Sequence, residues 1–171
     1  MKILGIDPGT SRIGFGLIET DGLPGQDLIG QGGLRLISYG TIEAKEKTLL
    51  GKIGGATAQF KKLIAELKPD YAAIEKIFFA KNQKTAMAVA QARGALLSIL
   101  LEKEIPLMEF SPTEVKSQVA GYGLADKKGV AKIVKMILKL EELPGYDDAS
   151  DALAIAIAAA NQRRLLTRKI V

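Results

Sequence analysis

Four acidic residues are placed where carboxylates could do chemistry. Asp7 ends the apolar run KILGID and enters a Pro8-Gly9 turn, and Glu75 ends the apolar run YAAIE in the same manner. Asp148 and Asp151, three residues apart in YDDASDAL, fall on one face of a helix. An acid at the end of a buried strand is expensive unless a cation or hydrogen bonds compensate it. Each acid alone has an ordinary account, because turns accept Asp and helix first turns favour acids through capping and the helix dipole. For Asp147 that ordinary account is preferred. Gathered at one place, the other four would repel and raise one another's pKa values. A hard divalent cation relieves such repulsion: Mg²⁺ takes oxygen ligands, and two ions about 3.5–4 Å apart can clamp the attacking and leaving oxygens of a phosphodiester.

The elements that must position these acids are legible along the chain. Residues 3–7, 13–19 and 34–43 read as three strands, with the Gly- and Pro-containing stretch Thr20–Gly33 joining the second to the third. Thr48 can cap a helix carrying Leu49, Ile53, Phe60, Leu63, Ile64 and Leu67 at helical spacing, ended by Pro69. Gly51, Gly54 and Gly55 each weaken its first turns by about 1 kcal/mol relative to Ala, which predicts a late start. Tyr71–Glu75 reads as a buried strand, 82–104 as a long helix and 107–110 as a fifth strand. Ser111 followed by Pro112 opens a further helix, and 126–140 and 147–164 are the last two. An antiparallel meander followed by alternating helices and strands predicts an α/β fold: a mixed sheet with helices on both faces, one domain over residues 1–171. If the Asp7 and Glu75 strands are neighbours, both acids face one crevice at the carboxyl ends of the strands. The apolar body ALAIAIAAA after Asp151 must be buried, which turns the amino end of that helix into the domain.

Composition removes whole classes of chemistry. The 171 residues include no cysteine and no histidine, so disulfides, thiolate zinc sites, Cys nucleophiles and His bases are excluded. No apolar stretch reaches membrane-helix length and no signal peptide is visible, which predicts a cytoplasmic protein without membrane association. The net charge of +5 suits a polyanionic partner, and suits a Lys-rich solvated surface equally well.

GIDPGTSRIGFG, DYAAIEKIFFAKN, AVAQARG and YDDASDALAIA, in that order, resemble the RuvC family, bacterial Holliday-junction resolvases with an RNase H-like fold. The resemblance covers nearly the whole chain. It implies a homodimeric endonuclease that cuts four-way DNA junctions by paired symmetric nicks in recombination and repair, in partnership with the RuvA–RuvB branch-migration machinery. It places the catalytic, metal-binding tetrad on Asp7, Glu75, Asp148 and Asp151, implying Mg²⁺ as cofactor, two ions per subunit, with Mn²⁺ as a substitute. The Thr20–Gly33 loop is longer than the family pattern and lies away from these motifs.

Lys116 and Lys127 match family lysines near the scissile phosphate, where they could hold it or stabilise developing charge; as residues alone they read as solvated helix lysines. Phe78, in KIFFAKN, matches an aromatic that can stack on an unpaired base, whereas without the resemblance Phe78 and Phe79 read as core. Lys76, Lys81, Lys84, Arg93, Lys128, Lys132 and Lys135 are candidate DNA-backbone contacts. The small residues Ala86, Ala88, Ala90, Ala92, Gly94 and Ala95 suit either a two-fold helix contact or packing on the sheet. Two rivals remain at this stage. The opening segment could be the phosphate loop of an actin-like ATPase, or the chain could be a junction-binding module without catalysis.

Overall fold

The computed structural model describes residues 1–20, 33–77, 83–142 and 147–168. Five strands, β1 (Lys2–Asp7), β2 (Arg12–Glu19), β3 (Arg35–Glu43), β4 (Tyr71–Glu75) and β5 (Leu107–Phe110), form one sheet in the order β3-β2-β1-β4-β5. β1 runs antiparallel to β2 and parallel to β4, and β4 runs parallel to β5. The helices are α1 (Leu49–Leu67), α2 (Gln83–Glu102), α3 (Pro112–Ala120), α4 (Lys127–Ile137) and α5 (Asp147–Arg168). This is the mixed α/β sheet with helices on both faces that the alternating pattern predicts, and it agrees with the RNase H-like fold that the family resemblance implies. The loop over 21–32 lies outside the described residues.

Strand alternation divides the core into two layers. Leu4, Ile6, Ile13, Leu17, Ala72 and Ile74 pack with Phe60, Ile64, Leu96, Ile99 and Leu100 of α1 and α2. Ile3, Ile18, Ala73 and Phe110 point the other way and pack with α3, α4 and the buried run Leu153–Ala160 of α5. Each buried Leu or Ile of that run contributes roughly 1.5–3 kcal/mol, which makes α5 the main anchor of its face.

Glycine lets α5 come unusually close. Gly5 and Gly16 are cross-strand partners, as are Asp7 and Gly14. A Cβ on Gly5 would stand 2.0 Å from the Ala152 carbonyl oxygen, and one on Gly14 would stand 2.0 Å from that of Asp148. The α5 backbone therefore lies directly on the β1–β2 ribbon, against a face with no side chains at those three points.

The start of α1 differs from expectation. α1 begins at Leu49, immediately after the Thr48 cap, whose hydroxyl accepts from the Gly51 N–H at 3.1 Å. The glycines do not delay the helix. Gly51 and Gly55 make room for Glu46, whose carboxylate would meet a Cβ on Gly55 at 2.2 Å, so the loss of propensity is traded for close packing of the preceding loop. α3 opens on a reciprocal capping box: Ser111 Oγ accepts from the Glu114 N–H at 3.2 Å, and the Ser111 N–H donates to Glu114 at 2.6 Å. α5 runs on to Arg168, beyond the expected end at 164.

Candidate active site

Asp7 lies on the same strand face as Ile3 and Gly5, and Glu75 on the same face as Tyr71 and Ala73. Because β1 and β4 are parallel neighbours, with Ile6 beside Ile74, the two acids end adjacent strands and point toward α5. Neighbouring strands are about 4.8 Å apart, so these carboxylates are crowded by topology alone. Asp148 and Asp151 enter the same space from the first two turns of α5, whose height above the sheet is set by Gly14.

The electrostatics register this crowding. Burial, then Glu75, Asp151 and Asp148, push the Asp7 carboxyl up to about 7. Burial and Asp151 also raise the pKa of Glu75. Lys127, on the first turn of α4, opposes both shifts. Its ammonium donates to Asp147 Oδ2 at 3.3 Å and lies 3.0 Å from Asp151 Oδ2. Burial works against the Lys127 cation, but the two aspartates outweigh it and hold its pKa above the ordinary lysine value. Arg12 supplies a second cation, 3.4 Å from Asp148 Oδ2 and 3.3 Å from Glu43 Oε1.

Glu75, Asp151, Lys116 and Lys127 line a cleft of about 250 Å³ between α3, α4 and α5, floored by Val115, Val130, Ala154 and Ile155. Among the described residues no group of three acids is already drawn together to hold a metal ion. The donor chemistry nevertheless fits a hard divalent cation. The ligands on offer are carboxylate oxygens, two of them with raised pKa values, and Mg²⁺ characteristically keeps several waters and takes only one or two carboxylates directly.

The structure thus brings together Asp7, Glu75, Asp148, Asp151, Lys116 and Lys127. Other candidates fall elsewhere. Lys76 follows Glu75 but is exposed and lies 3.5 Å from Glu114. Lys128 is exposed on α4 and does not line the cleft. Lys132 and Lys135 lie further along α4, also exposed. Arg93 is turned inward, its side chain only 14% exposed, donating to the Glu75 carbonyl at 2.9 Å and paired with Glu109. Phe78 and Lys81 lie outside the described residues, as does the side chain of Lys84. The Pro8-Gly9 turn is tight: a Cβ on Gly9 would stand 2.1 Å from the Arg12 carbonyl oxygen, so Gly here answers to the chain's own backbone.

Sequence reasoning overlooked Gly5, Gly14 and Gly16, although glycine at alternate strand positions is a readable sign of close backbone approach. It also passed over Arg12 and gave Asp147 only a capping role. Arg12 carried no separate signal among 24 basic residues, and the pairing of Asp147 with Lys127 depends on how α4 meets α5.

A parallel β1–β4 core carrying acids at adjacent strand ends, with two more on a covering helix, defines an RNase H-like nuclease class of site. The profile of the family described as "Crossover junction endodeoxyribonuclease RuvC" matches residues 3–159, and the chain belongs to the RuvC family. The Chloroflexus aggregans member is 43% identical, with 98% of both chains covered. The Thermus thermophilus RuvC structure superposes with a TM-score of 0.85 at 31% identity over 98% of each chain. A second T. thermophilus RuvC structure, in complex with Holliday junction substrate, gives a TM-score of 0.82 at 28% identity over 96% of each chain.

Proposed function

We propose that this protein resolves four-way DNA junctions by hydrolysing phosphodiesters at the acidic site where the ends of β1 and β4 meet α5. The observation that carries the reading is the carboxylate crowding at the ends of β1 and β4. Asp7 and Glu75 are pushed toward protonation by burial and by neighbouring acids, a cost that a cation at the site would relieve. Asp7, Glu75, Asp148 and Asp151 would hold divalent ions, Mg²⁺ or Mn²⁺, two per subunit. Such ions, when bound, supply a nucleophilic water near neutral pH and neutralise charge on the phosphoryl oxygens.

The chain's own residues do the rest. Lys116 and Lys127 line the cleft and present cations to a phosphate entering it. Lys127, held by Asp147 and Asp151, keeps its ammonium at the cleft, where it can meet an incoming anion. Arg12 steadies Asp148 from the sheet side.

Paired nicks need two such sites, so the reading includes a homodimer with one cleft per subunit. Phe78 stacking on an unpaired base, backbone contacts from the exposed lysines, and partnership with RuvA–RuvB complete the proposal. The ATPase alternative requires a second phosphate loop, which the sequence lacks. Incubating a labelled mobile four-way junction with the protein and Mg²⁺, beside linear duplex, tests the reading: symmetric nicks on the junction alone are expected. Asp7→Asn should bind the junction and fail to cut it, and wild-type-like cleavage by that variant would overturn the assignment.

A further inference from the structure

Arg93 belongs to the AVAQARG segment, and its guanidinium does not reach the acidic cleft. Its neighbours on α2, Ala92 and Leu96, are buried, and Leu96 packs in the layer beneath the sheet, opposite α5. From that side Arg93 reaches the carboxyl ends of two strands. Nε donates to the Glu75 carbonyl at 2.9 Å, and the fork pairs with Glu109 of β5. Glu109 lies on the Leu107 side of its strand, away from the Phe110 layer. The contacts of Arg93 are thus with the Glu75 main chain and with Glu109, from the face of the sheet opposite the Glu75 side chain.

Glu75 is the last residue of β4. A strand end loses regular ladder partners, and a half-buried carbonyl there must find another donor. Beyond it, the Lys76 N–H closes onto the Phe110 carbonyl at 2.7 Å. Contacts from β5 and from Arg93 thus hold this strand end.

We propose that Arg93 is a positioning residue for Glu75: by bridging the Glu75 carbonyl to Glu109, it holds the end of β4 from behind the sheet and so aims the Glu75 side chain into the cleft. The inference rests on the reading of that cleft as the nuclease site. Arginine is required because its planar fork directs two donors at once along separate lines, whereas the lysine ammonium is a compact charge on a flexible stem. A shift on the order of 1 Å in a reacting group can cost about 10²-fold in rate.

The test compares wild type, Arg93→Lys, Arg93→Ala and Glu75→Gln, each at a temperature well below its unfolding transition and with the folded fraction verified by circular dichroism. Junction affinity is measured in EDTA across a salt series, and cleavage in single turnover at saturating junction with Mg²⁺. For Arg93→Lys, an affinity within about 2-fold of wild type, an unchanged salt slope and a cleavage rate down about 10- to 100-fold are expected. Arg93→Ala, if it folds, should lose at least as much rate. Wild-type cleavage by Arg93→Lys overturns the proposal. So does weakened binding with a salt slope reduced by about 1, which would make Arg93 a phosphate contact. Cleavage by Glu75→Gln would instead overturn the site itself, whatever Arg93 does.

Discussion

Replacing Gly14 with Ala tests the physical basis of the whole site. The added Cβ would lie 2.0 Å from the Asp148 carbonyl oxygen, against the 3.4 Å at which ordinary contact begins. The shortfall of about 1.4 Å cannot be absorbed by a rotamer, because the obstructing atom is helix backbone. Either α5 lifts from the sheet or the β1–β2 ribbon bends. Overpacking of this kind costs about 1–3 kcal/mol, and backbone-on-backbone contact belongs at the upper end. For a chain of this size, 3 kcal/mol lowers Tm by roughly 6–12 °C. Lifting α5 also carries Asp148 and Asp151 away from Asp7, and a displacement near 1 Å predicts a cleavage loss of about 10²-fold in the protein that remains folded. The assay is thermal unfolding followed by single-turnover cleavage of a synthetic junction at a temperature where the variant is folded. Gly94→Ala is the control: beyond its own helix, no atom of the described residues lies within 4 Å of its added Cβ, and a helical Gly→Ala change there should be neutral or stabilising by up to about 1 kcal/mol. If Gly14→Ala melts and cuts like wild type, the argument that glycine sets the height of α5 is refuted.

Two further predictions concern charge. Asp7 has an ordinary carboxyl pKa of 3.8 raised to about 7 in the folded protein without metal. The folded state then binds the proton more tightly than the unfolded chain. Folding is penalised increasingly as pH rises above about 3.8, and in full above about 7. Asp7→Asn in EDTA should therefore gain stability on the order of 2 kcal/mol at pH 8, shrinking toward zero near pH 4; equal gains at both pH values by urea unfolding would refute the account. Lys127→Met removes the cation that lowers the Asp7 and Glu75 pKa values, so the acid limb of the cleavage profile should move to higher pH and the rate should fall about 10²-fold. An unshifted limb in a pH–rate series would show that Lys127 does not act on these acids.

Local chemistry made much of the fold readable. Tyr71–Glu75 and Leu107–Phe110 occupy the spans their apolar runs predict, and the Ser111-Pro112 and Thr48 signals mark real helix starts. These features depend on neighbours in sequence, such as caps, turn residues and side-chain alternation. The α1 start shows the limit of that logic, since Gly51 and Gly55 answer to Glu46 packing and not to helix propensity.

By itself the sequence determined the donors: four acids at strand and helix ends, no histidine or cysteine, and hence a site built from oxygen ligands and lysines. Tertiary structure decided how they meet. The β1–β4 adjacency places Asp7 and Glu75 side by side on one face. The glycines of β1 and β2 let α5 bring Asp148 and Asp151 down to them. The meeting of α4 with α5 gives Lys127 its two aspartate partners. The same folding turned Arg93, one basic residue among many in the sequence, away from solvent and onto the end of β4. Such contacts join residues far apart in the chain, and their energies come from burial and close approach, which no local pattern encodes.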